Sequence, residues 1–101
     1  MSKSKSHKNA QIKAAGKNGT TEVKIKGNQR LDALTKNGKR ATEIERNGNH
    51  FDAANRLKNS EANQKILQVP QKDMKKAVEA MKKVGVKGSV KNMTGTKRYS
   101  V

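Results

Sequence analysis

Two histidines, eight carboxylates and twenty-four lysines and arginines are the chemically active side chains of this 101-residue chain, which has no cysteine. His7 and His50 are far apart in sequence, and with no thiol beside them they offer no metal-ligand spacing, so no cofactor or metal is expected. No Gly-Lys-Ser/Thr follows a strand, which removes a Walker-type phosphate loop. The acids do not pair on one face of any clearly periodic element, so an acid–base pair of carboxylates is not expected either. One catalytic arrangement is left. His50 would act as general acid or base, with Arg98, Tyr99 or a lysine completing a site of the kind a small basic ribonuclease toxin needs. Against it, His50 opens a predicted helix, where a single histidine is ordinarily a surface or capping residue. The enzyme is therefore the alternative reading, not the leading one.

The leading reading is non-enzymatic binding of nucleic acid. A formal net charge of +16 exceeds what solubility requires, and self-repulsion of that size favours a polyanionic partner. Lys72, Lys75, Lys76, Lys82 and Lys83 fall on one side of a predicted helix. Lys87 and Lys91 alternate on a predicted strand, and Lys97 and Arg98 lie on a last strand beside Tyr99, the one aromatic able to stack on a base there. Together these residues are expected to form one continuous basic surface. Lysine heavily outnumbers arginine, which suits phosphate contact with low sequence specificity more than bidentate reading of bases. RNA or a ribonucleoprotein is preferred over DNA, with an acidic protein, such as the host target of a phage or effector protein, as the other partner class. The opening Ser-Lys pairs resemble basic tails of ribosomal proteins over a few low-complexity residues, and nothing about function follows from so short a match.

The elements that must carry these residues are clearest in the last third. Met74, Ala77, Val78, Met81 and Val84 recur at helical spacing over residues 71–84. Pro70 precedes that segment, Asp73 lies in its first turn, Lys82 and Lys83 in its last, and Gly85 follows as a left-handed cap. Ile66 to Val69 is a short apolar run ended by Pro70, and residues 86–91 alternate as a half-buried strand. Asn92 to Gly95 has turn chemistry, and residues 96–101 return as a strand. Upstream, Val23 and Ile25 share one face of a strand over residues 21–26. Leu31 and Leu34, then Ala41 and Ile44, suggest short helices within residues 29–47, although the Asn-Gly pairs there also fit a β-hairpin. A third short helix begins at Asn49 and runs through Phe51, Ala54 and Leu57 to about Asn59.

The expected fold is thus α+β: a small mixed sheet, one longer amphipathic helix and about three short ones over residues 20–101. Residues 1–19, rich in Ser, Asn, Gly and Lys, are expected as a flexible basic arm. Charge follows the same division: residues 21–70 hold ten basic and six acidic side chains, residues 71–101 nine and two. Only 31% of residues are hydrophobic and 2% aromatic, so the core must be small. No apolar run nears the ~20 residues of a spanning helix, so no membrane is expected as a partner. With no apolar leader at the basic N-terminus, the expected location is cytoplasmic.

Overall fold

A computed structural model of the chain describes residues 4–101. Among them, three α-helices and six strands form a small α+β domain: α1 (Lys5–Ala15), β1 (Thr20–Ile25), β2 (Gln29–Leu34), β3 (Arg40–Ile44), α2 (His50–Asn59), β4 (Gln64–Gln68), α3 (Met74–Val84), β5 (Ser89–Lys91) and β6 (Arg98–Ser100). The sheet has the simple order β1-β2-β3-β4-β5-β6. β1, β2 and β3 form an antiparallel meander. α2 and α3 then carry the chain through two parallel pairings, β3 with β4 and β4 with β5, and β6 closes antiparallel to β5.

The core lies on one face of this sheet. Leu31, Ala41, Leu67, Val69 and Val90 meet Ala53, Ala54 and Leu57 of α2 and Met74, Ala77 and Met81 of α3. The alternation of each strand explains the choice: Leu67 and Val90 point to the helices, so their neighbours Ile66, Gln68, Ser89 and Lys91 point the other way. On that other side α1 packs against β1, β2 and β3, burying Gln11 and Ala15. α3 has the predicted stripe, with Met74, Ala77 and Met81 buried and Val78 and Val84 half-buried against the core. Its first predicted turn is a separate 3-10 turn, Gln71–Asp73. Gly85 ends it at φ 84°, the left-handed cap expected of glycine, and Lys58 Nζ donates to the Val84 carbonyl at 2.9 Å. Among the described residues no helix is long and apolar enough to cross a membrane.

Two expectations are corrected. Residues 29–47 are not short helices but the β2–β3 hairpin, with Leu34 opposite Ala41 and a tight turn at Asn37-Gly38. The leucine spacing is shared by a helix face and by strands carrying an irregularity, and the Asn-Gly turn decides between them. Residues 4–19 of the expected flexible arm contain α1. Ser4 caps it by accepting from the His7 N–H at 3.1 Å, and Gln11 and Ala15 anchor it to the sheet. Residues 1–3 of that arm lie outside the described residues. On α2, Phe51 is 51% exposed, and Lys83 Nζ stands 5.9 Å from its ring centroid and covers it as a cation–π contact.

Candidate functional site

The sheet gathers carboxylates that sequence spacing kept apart. The β2–β3 ladder runs only as far as Ala33 opposite Thr42. The next residue on each strand is an acid, Asp32 and Glu43. Here side chains replace the ladder: the Asp32 N–H donates to Glu43 Oε2 at 2.7 Å, and Asp32 Oδ2 accepts from the Ile44 N–H at 2.8 Å. On the α1 side, His7 Nε2 lies 3.3 Å from Asp32 Oδ1, and Gln11 Nε2 reaches the Asp32 carbonyl at 3.1 Å. The same Gln11 amide bonds to Glu22, which sits at φ 53° between the pairs Thr21–Ala33 and Val23–Leu31. On the α2 side, Arg56 Nε donates to Glu43 Oε1. Glu45, also buried, accepts from the Asn47 N–H at 2.7 Å.

Four of the chain's eight acids therefore converge at the parting of β2 and β3. Asp32, Glu43 and Glu45 are 5%, 1% and 8% exposed. Burial and then the charge of Asp32 push the Glu43 carboxyl up to about 8, against the pull of Arg56. Burial works to lower the Arg56 guanidinium, but its bond to Glu43 and the charges of Glu43, Asp32 and Glu45 hold its pKa above the ordinary arginine value. Among the described residues no three acidic, imidazole or thiol groups are arranged to hold a metal ion by themselves. Two neighbouring carboxylates suit Mg²⁺ only when substrate phosphate and water complete its shell.

The predicted binding residues divide between the two faces. Lys72, Lys75, Lys76, Lys82 and Lys83 are exposed on α3 and the turn before it, outside the core face. Lys87 and Lys97 are exposed beside β5 and β6. Lys91 and Arg98 are direct cross-strand partners on the opposite face, where Lys91 shares a cleft with Lys13, Ala10 and Ala14 of α1. The sheet thus interrupts the expected continuous surface. Tyr99 pairs with Val90, so it belongs to the α3 face of the edge strand and is 44% exposed. His50 is 6% exposed at the start of α2, and its Nε2 is the one buried side-chain polar atom without a hydrogen bond among the described residues. Arg98 faces the other side of the sheet, so the His50–Arg98 site does not form.

Sequence reasoning missed the acid cluster because its members come from three strands and the residue after β3. The available signal was an acid on each arm of the Asn37-Gly38 hairpin, and it becomes visible only once that segment is read as strands. The chain matches no known protein family, and no curated protein or solved structure is detectably similar to it.

Proposed function

We propose that this chain acts on nucleic acid. It binds the phosphate backbone through lysine and arginine with little sequence preference, RNA ahead of DNA, and hydrolyses a phosphodiester bond at the Asp32–Glu43 cluster. The carrying observation is that half of the few acids in a strongly basic protein meet at one break in the sheet, with one of them held near neutrality. A stability role is a poor explanation for that. Burying several like charges costs folding energy, which a small core can hardly offset, whereas perturbed carboxyls beside cationic surface are what phosphoryl chemistry uses.

In the reaction this supports, water attacks phosphorus and one P–O bond forms as the ester P–O bond breaks. The water's proton passes to the carboxylate pair, and His7 delivers a proton to the leaving oxygen. Arg56 and Gln11 hold the carboxylates in place. Mg²⁺ entering with the substrate phosphate would add Lewis-acid stabilisation.

A second reading, binding without cleavage, is favoured by one observation: the oxygens of Glu43 both accept from protein N–H groups, and the side chain is almost fully covered. Incubating the purified protein with mixed RNA and with DNA, with Mg²⁺ and with EDTA, decides between the two. Cleavage that Asp32→Asn abolishes supports hydrolysis. Binding with no cleavage under any condition leaves the second reading. Capture of an acidic protein, with neither nucleic acid bound at low salt, overturns both.

A further inference from the structure

On the side of the sheet that carries α1, four cations from four elements approach one another. Lys13 comes from α1, Arg40 from β3, Lys91 from β5 and Arg98 from β6. Lys91 and Arg98 are cross-strand partners, and Arg40 Nε donates to Gln64 on the next strand at 2.9 Å. None of the four forms an ion pair with a carboxylate among the described residues. Their mutual effect is visible at Lys91, whose pKa is lowered by burial and then by the charges of Arg98, Arg40 and Lys13. Like charges held together without counter-charge leave a standing demand for an anion.

The surface between them is hollow. A cavity of about 190 Å³ is lined by Lys13, Gln68 and Lys91, and a second of about 240 Å³ by Arg40, Gln64 and Arg98. Gln64 and Gln68 are the two ends of β4, so the cavities lie at opposite ends of that strand, which spans ~13 Å at ~3.3 Å per residue. No aromatic side chain lines either cavity, so bases would not be held by stacking. Cations and the exposed Gln64 carboxamide instead present themselves to the sugar–phosphate chain, while Gln68 is buried with its amide donating to the Asn92 and Met93 carbonyls.

We infer that the two cavities form one trough along β4 and that this trough, rather than the lysine face of α3, is the track for a single RNA strand, with Lys13, Arg40, Lys91 and Arg98 on its phosphates and the exposed Gln64 beside a ribose. RNA is the committed occupant because an exposed carboxamide in a backbone-reading trough, that of Gln64, can bond the 2′-hydroxyl, the group that separates RNA from DNA at backbone level. The inference rests on the nucleic-acid reading above and deepens it. The trough also leads toward the acid cluster: Gln68 pairs with Ile44, whose N–H binds Asp32.

The test is fluorescence anisotropy of short mixed-sequence single strands, RNA and DNA, in EDTA over a series of salt concentrations. Wild type is compared with Lys91→Gln/Arg98→Gln and with Lys76→Gln/Lys83→Gln, each checked for wild-type circular dichroism. Loss of two phosphate contacts lowers the salt slope for single strands by ~1.4, so the Lys91/Arg98 variant should show that drop with a several-fold weaker Kd, and the α3 variant much less. If the Lys91/Arg98 variant is misfolded, Lys13→Gln on the surface of α1 replaces it, with an expected slope loss of ~0.7. Equal losses from both faces, or equal affinity for RNA and DNA strands, overturn the inference while leaving nucleic-acid binding intact. Absence of any binding by wild type overturns both together.

Discussion

Asp32 and Glu43 complete each other's strand: the Asp32 N–H binds the Glu43 carboxylate at 2.7 Å, and the Asp32 carboxylate binds the N–H of Ile44 at 2.8 Å. The two acids are thereby built into the backbone pairing of β2 and β3, and neither is free to move apart from the other. Replacing Asp32 by Asn keeps an acceptor for the Ile44 N–H but removes the negative charge beside Glu43. Cleavage should fall by ~10²–10⁴, the range for losing acid–base chemistry, with RNA binding retained. The Glu43 titration should move to lower pH, because the Asp32 charge is one of the causes raising it. Carboxyl NMR titration reads the second effect independently of activity.

Stability should depend on pH through the same residue. Glu43 titrates near 4.5 as an ordinary carboxyl and at about 8 in the fold. Between those values the folded chain holds a proton that the unfolded chain has released. Its contribution is therefore fully present below about pH 4.5 and is lost as pH rises through about 8. Glu43→Gln, which mimics the protonated form, should flatten that part of the profile. Urea midpoints across the interval are the measurement, and a wild-type profile as flat as that of Glu43→Gln would contradict the assignment.

Met81 is fully buried where α3 meets the sheet. Met81→Ala should cost ~2–5 kcal/mol, a large part of the ~5–15 kcal/mol typical of a small domain. Val78→Asp at the half-buried rim of the same helix should destabilise as well, though with its charge able to reach water. Denaturant unfolding of both variants gives the order directly.

Deleting residues 1–19 should do more than weaken phosphate binding. It uncovers the side of β1–β3 on which α1 packs and strips His7 and Gln11 from Asp32. A flexible arm could be removed without a change in melting temperature; α1 cannot. The expected result is a clear drop in Tm, read by thermal circular dichroism. An unchanged Tm would show that α1 adds nothing to the folded state.

Periodicity and local chemistry were enough for the last third of the chain. The Met74–Met81 stripe, the glycine cap at Gly85 and the Asn92–Gly95 turn are each written within a dozen residues, and the structure has all three. Segments whose local signals were balanced needed the tertiary fold. Residues 29–47 become strands because β1 and β4 are there to pair with them. α1, weakly amphipathic in sequence, is fastened by the Gln11 amide and the buried Ala15, which find partners only on the completed sheet. The acid cluster is the extreme case. Glu22, Asp32 and Glu43 lie on three strands with Glu45 just past the end of β3, and a hydrogen-bonded meander alone brings them together. Net charge, by contrast, is a sum that needs no fold, so the excess of cations is legible from composition while their division between two faces is not. That division depends on strand alternation, which sends Lys91 and Arg98 to the side opposite α3.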